Sequence, residues 1–138
     1  MSNKLMKPTP VPDPVSLPYF EGLRQEKLLI QQCNKCSHRQ HYPRPFCLNC
    51  LSTDIDFYPD QSNPTLYSYT IVRTHFNKSF NDELPIIVVL VELESGVRIL
   101  STLHEIAPDP AVLKIGMSLK LFFDHISDTL TLPRFRPI

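Results

Sequence analysis

The chain has 138 residues, with 14 Lys or Arg against 14 Asp or Glu, 14 prolines, 4 cysteines and no tryptophan. A net charge of zero argues against a protein whose main task is gripping phosphate backbones, because such proteins carry a basic surplus. No apolar run approaches the roughly 20 residues that span a bilayer.

The opening MSNKLMKPTPVPDP has no apolar stretch of signal-peptide length. The chain therefore reads as soluble and cytoplasmic, with no membrane role, in a reducing setting that disfavours structural disulfides. Pro8, Pro10, Pro12 and Pro14 fall at every second position, which prevents a helix and favours extended or polyproline chain. Residues 1–14 read as a flexible proline-rich arm, either loose or lying along a partner. Ser16 is placed to cap a short helix running to about Lys27, with Pro18 tolerated in its first turn. Tyr19, Phe20 and Leu23 give that helix one apolar face. Gly22 weakens it, so it needs docking to persist.

Residues 15–59 read as this helix followed by a zinc ribbon: short strand, cysteine pair, short strand, cysteine pair, short strand. The pairs are Cys33-x2-Cys36 and Cys47-x2-Cys50, ten residues apart. Two facing Cys-x-x-Cys turns supply four thiolates that converge on one tetrahedral ion. Zinc suits soft thiolates and needs no redox chemistry, although an iron cage of the rubredoxin kind uses the same ligands. A thioredoxin-type redox site needs a single pair at a helix start. With four sulfur ligands the ion has no open position for water or substrate, so its role is structural. His38 and His41 lie close by, but the cage does not need them.

Residues 60–138 read as strand after strand. TLYSYTIV (65–72) is β-branched and aromatic. PIIVVLVEL (85–93) is apolar on both faces, as a central strand is. Glu94, Ser95 and Gly96 form a hairpin turn into GVRILSTL (96–103). DPAVLKIG (109–116) has the cap, first-turn proline and closing glycine of a short helix. MSLKLFFDHI and DTLTLPRF alternate as the last two strands. Five strands with a short helix between the third and fourth match a five-stranded OB-fold barrel with a C-terminal tail; another small barrel or sandwich is the competing reading. The fold class is mainly β: N-terminal helix, rubredoxin-like zinc ribbon, OB-fold barrel.

A search for catalytic residues returns none. The cage consumes every thiol. There is no nucleophile elbow, P-loop or dinucleotide fingerprint, and Gly22, Gly96 and Gly116 are the only glycines. His75, His104 and His125 are scattered.

LPYFEGLRQEKLLIQQCNKCSHRQHYPRPFCLNC, TLYSYTIVR, VELESGVRILSTL, LKIGMSLKLFF and LPRFRPI resemble, in order, the zinc-ribbon plus OB-fold accessory family known as domain of unknown function family thirty-five. The resemblance runs from about Val15 to Ile138. It implies a non-catalytic accessory or scaffold subunit that partners a thiolase-superfamily or related acyl-CoA enzyme and helps bind or pass CoA or acyl-CoA. Three departures stand out: Leu51 follows Cys50 and Ser37 follows Cys36, where the family commonly has glycine, and QSNPTLYS lacks the glycine usual before the first barrel strand.

Coenzyme A has phosphates that call for Arg or Lys and a narrow arm that calls for a groove. Arg39, Arg44, Arg73 and Lys78 are candidates for the first, Phe76 and Phe80 for the second; each cation also reads as a solvated surface charge. Arg134 and Arg136 read as structural. The alternative function is an OB-fold module for single-stranded nucleic acid, with Tyr67, Tyr69 and Phe76 as stacking platforms. Asp82, Glu83, Glu92 and Glu94 would repel phosphate there, so nucleic acid is the weaker expectation.

Overall fold

The computed structural model describes residues 6–74 and 77–138. One helix, α1 (Leu17–Arg24), is followed by β1 (Leu29–Cys33), β2 (Arg39–Gln40) and β3 (Ile55–Pro59), then by β4 (Thr65–Val72), β5 (Ile86–Glu92), β6 (Arg98–Leu103), β7 (Leu119–His125) and β8 (Thr131–Pro137), with a 3₁₀ turn at Lys78–Glu83. Among the described residues no helix is long and apolar enough to cross a membrane.

The helix begins where expected, but by other means. Ser16 does not cap it with its side chain. Its hydroxyl instead donates to Asp13 Oδ1 at 2.8 Å, and its backbone N–H donates to the same oxygen at 2.7 Å. These donors hold the Asp13 carboxyl below its ordinary pKa. The helix stops at Arg24, three residues before the expected end, because Glu26 turns into the left-handed region (φ 59°) and the Lys27 N–H returns to the Gly22 carbonyl at 2.8 Å. Tyr19, Phe20 and Leu23 are buried as the apolar face predicts. Gly22 proves to be a contact point: a Cβ there would lie 2.7 Å from Leu29 Cδ1, so the absent side chain lets the helix close on β1.

Strands β1 to β3 form an antiparallel sheet in the order β2-β1-β3, with Gln31 opposite Gln40 and Cys33 opposite Ile55. The remaining strands follow the order β4-β5-β6-β8-β7. The pairing is antiparallel except between β6 and β8, which run parallel and share the Leu103–Phe135 pair. The sheet closes on itself through a Thr65–Ser118 bridge, Leu66 N–H to Met117 O at 3.0 Å and Leu119 N–H to Pro64 O at 2.9 Å. Strand five lying between three and four in a closed five-stranded sheet is OB-fold topology. β5 is central, with β4 and β6 on its flanks, as its two-faced apolar run requires. Gly96 supplies φ 87° in the hairpin turn that follows.

The helix expected at 109–116 is a turn. Asp109 Oδ1 accepts from Ala111 N–H at 2.9 Å, and the Asp109 carbonyl accepts from Val112 and Leu113. Leu113 alone is buried, while Val112 and Ile115 remain 43% and 63% exposed. With one anchor there is no apolar stripe to hold a longer helix.

Two cores result. One lies inside the barrel, where Leu66, Val89, Val91, Leu119 and Phe135 are at most 1% exposed. The other is a seam: Tyr19, Phe20 and Leu23 of α1, with Leu28 and Ile30, pack on Leu93, Val97, Ile99 and Leu130 at one end of the barrel. Ribbon and barrel are therefore joined through apolar packing as well as through the chain.

Candidate functional site

The two cysteine turns are built alike. Each cysteine that opens a turn donates its N–H to the carbonyl five residues on, Cys33 to His38 and Cys47 to Ser52, at 2.9 and 2.8 Å. Each of their carbonyls accepts from the N–H four residues on, Ser37 and Leu51, at 3.0 and 2.9 Å. Backbone N–H groups of Lys35 and Asn49 point at the Cys33 and Cys47 sulfurs, each at 3.4 Å. Both turns end in the left-handed region, at Ser37 and Leu51, each with φ 64°. These are the two positions where the sequence departs from glycine, and the backbone adopts the glycine conformation there nonetheless.

The four sulfurs lie within 4.8 Å of one another. Cys33 and Cys50 are 3.6 Å apart, as are Cys36 and Cys47, too far for the ~2.05 Å of a disulfide. Four sulfurs about 2.3 Å from one tetrahedral ion stand about 3.8 Å from each other, so the spacing fits a metal cage. Acidity agrees. The Asn49 side chain, donating to the Cys36 sulfur, holds that thiol down at about 6. At Cys50 the Ser52 backbone favours the thiolate, but desolvation and the neighbouring sulfurs outweigh it and push the thiol up to about 12. Crowded thiols resist collecting negative charge; a divalent cation removes that resistance. A bound ion would cross-link the two turns. The metal-capable group contains cysteines alone, without His38 or His41.

The ribbon also holds a polar pair that the sequence does not reveal. Gln31 and Gln40 are 5% and 6% exposed. Gln31 Oε1 accepts from Gln40 Nε2 at 3.0 Å and from Arg44 N–H at 2.8 Å, and its amide donates to the Arg44 carbonyl at 2.8 Å. Gln40 donates also to the Phe46 carbonyl and accepts from Leu48 N–H at 2.9 Å. Two side chains thus fix the loop that carries the second cysteine turn to strand β1.

The candidate ligand residues are distributed over both units. Arg39 bonds Gln32 at 3.3 Å and opens on a groove beside Tyr58 and Ser95. Arg44 is exposed and contributes its backbone to the glutamine pair. Arg73 reaches the Pro108 carbonyl at 3.2 Å. Lys78 is exposed at the start of the 3₁₀ turn. Phe80 lines a different recess, with His104 and Ile87, and the Lys7 ammonium lies 5.9 Å from its ring. Phe76 lies outside the described residues. Arg134, on β8, donates to Asp124 at 2.6 Å and Thr102 at 2.7 Å. Thr102 Oγ1 also shares a hydrogen bond with His104 Nε2 at 2.8 Å, and burial, reinforced by Arg134, pushes the His104 pKa down.

A cage-stabilised ribbon docked on a closed five-stranded OB barrel defines the class: a zinc-ribbon and OB-fold protein. Two family models match in that order, the rubredoxin-like zinc ribbon domain of ChsH2 over residues 20–56 and the C-terminal OB-fold domain of ChsH2 over residues 64–124. A solved chain described as an Ltp2-ChsH2(DUF35) aldolase is 34% identical, with a TM-score of 0.82, over 94% of this chain and 98% of that one. This chain belongs to the DUF35 family. A DUF35 protein of unknown function from Sulfolobus solfataricus shares the fold at 19% identity, TM-score 0.64, over 91% of this chain and 86% of that one. A probable enoyl-CoA hydratase alpha subunit of Thermomonospora curvata is 36% identical over 97% of this chain and 41% of its own length. The 3-oxo-4,17-pregnadiene-20-carboxyl-CoA hydratase alpha subunit of Mycobacterium tuberculosis is 30% identical over 80% of this chain and 34% of its own. The chain thus spans less than half the length of the curated relatives it matches.

Proposed function

We propose that this chain is a non-catalytic accessory subunit of an acyl-CoA enzyme, with a hydratase or a thiolase-superfamily enzyme as its partner. The observation that carries this reading is the end-to-end likeness to the DUF35 chain of a two-component aldolase; both curated relatives are named as subunits of CoA-ester hydratases. All 4 cysteines of the chain belong to the cage, which leaves no thiol for acyl transfer. The ion is zinc and its task is folding. The ribbon (15–59) and barrel (60–138) act as a docked pair, in a reducing cytoplasm that keeps the thiols available. CoA phosphates meet Lys78 and Arg73, and the pantetheine arm passes Phe80; Arg39 and Arg44 serve the same ligand on the ribbon side.

Nucleic acid fits less well. The face of Tyr67, the exposed stacking candidate, is covered by the Arg98 guanidinium at 3.8 Å, and Arg98 is itself paired with Glu92 at 3.0 Å. Tyr69 packs toward the barrel core.

The test is affinity purification from native extract, with mass spectrometry of what co-purifies. An acyl-CoA enzyme in stoichiometric amount is expected, with turnover in the reconstituted pair and none in the isolated chain. Turnover by the isolated chain, or recovery of nucleic acid alone, would overturn the reading.

A further inference from the structure

The second cysteine turn presents apolar side chains to solvent. Phe46, Leu48 and Leu51 are 39%, 55% and 71% exposed. A lone exposed leucine is ordinary, but three large apolar groups on one tight turn make a patch. The patch is not loose. Gln40 fixes the chain on either side of Cys47, its amide donating to the Phe46 carbonyl at 3.0 Å and accepting from the Leu48 N–H at 2.9 Å. The Leu51 N–H then closes the turn on the Cys47 carbonyl at 2.9 Å.

Leu51 is costly on two counts. Its backbone lies in the left-handed region, at φ 64°, where a Cβ is strained, and its side chain stands in water. Neither cost is offset by a core contact of this chain. Strain that persists without an internal return points to a contact made with something else.

Charge gives that contact its sign. Between Glu26 and Asp54 the chain has no carboxylate. Lys35, in the facing turn, and Arg39 and Arg44 are exposed, and none of them forms an ion pair among the described residues. Asp54 and Asp56 are both turned to the Asn34 amide, at 2.8 and 2.7 Å. A second copy of this chain would bring like charges together at the tip. A bilayer moulds itself to any apolar shape and would not require a fixed, strained leucine.

We infer that the tip of the ribbon docks into a partner protein, with Leu48 and Leu51 entering an apolar recess whose rim carries a carboxylate for Lys35. The field of Arg39 and Arg44 steers the approach of such an acidic surface. The partner is the acyl-CoA enzyme, so the docking rests on the accessory reading. The cage then also presents the two leucines at a set angle, and recognition depends on the metal.

The experiment uses the full-length, metal-loaded chain and the enzyme that co-purifies with it. Dissociation constants are measured for wild type, Leu51→Glu, Leu51→Gly and Lys35→Glu, after metal content and Tm of each have been checked. Leu51→Glu is expected to weaken the complex at least about tenfold. Lys35→Glu weakens it about threefold, an effect that fades at high salt. Leu51→Gly gives the distinguishing signature: the isolated chain melts higher while the complex weakens, which a purely structural leucine would not do. Unchanged dissociation constants in all three variants overturn the docking and leave the accessory reading standing, whereas failure of any acyl-CoA enzyme to co-purify overturns both. Binding to phosphatidylserine vesicles that Leu51→Glu abolishes, with enzyme affinity unchanged, overturns it in favour of a membrane contact.

Discussion

Ribbon and barrel are both small β-sheets, yet they are held by opposite means. The barrel closes its own edges and fills its centre with Leu66, Val89, Val91, Leu119 and Phe135. The ribbon buries little apolar surface of its own. Its order comes from four sulfurs, two glutamines and the apolar face of α1. A sheet with too little core can still be specific when directed bonds replace packing, but it then depends on a few atoms.

Metal removal should separate the two most sharply. Structural zinc contributes an apparent ~10–16 kcal/mol in small fingers, so chelation is expected to release the amides of β1–β3 to rapid hydrogen exchange while those of β5 stay protected. Loss of both together would mean that the seam makes one cooperative unit. Phe135→Ala is the converse: about 3–5 kcal/mol lost in urea unfolding, with metal affinity unchanged.

Acid should act at the seam. Burial holds His41 at about 4 in the folded chain, whereas an unfolded imidazole protonates near 6.5. Between those values the unfolded state binds the extra proton, so stability is lost as pH falls from about 6.5 to about 4, by about 3 kcal/mol in full. Protonation of the cage thiols adds its own loss, and the difference between wild type and His41→Phe isolates the imidazole; equal acid limbs in urea titrations would refute its role.

Two smaller effects probe the ribbon alone. Gln40→Leu strands the Leu48 N–H and the Phe46 carbonyl, for about 1–3 kcal/mol, read as weaker metal retention against a competing chelator. Leu51→Gly should raise thermal stability by ~1 kcal/mol, because glycine adopts the left-handed backbone without strain and Leu51, 71% exposed, gives up no core contact.

What was legible in the sequence follows the same division. The barrel strands could be read because burial writes itself into alternation and apolar runs: 65–72 is a strand over its whole expected length. The cage could be read because metal geometry fixes spacing. The glutamine pair could not, since Gln31 and Gln40 look like solvent-facing strand residues until their partners 9 and 13 positions away are known. The setting of His41 and Tyr42 was hidden for a related reason: both rings pack on Tyr19, more than twenty residues earlier in the chain. The turn at 109–116 carries helix punctuation, yet the number of buried anchors decided its length.

The docking of α1 against the last hairpin has a consequence for how the molecule is made. Tyr19, Phe20 and Leu23 share their core with Leu130, roughly a hundred residues later, which a ribosome takes about 5–20 s to add. Through that interval the nascent chain carries an aromatic face without its cover, so a chaperone that shields this short segment during translation would govern the yield of the whole protein.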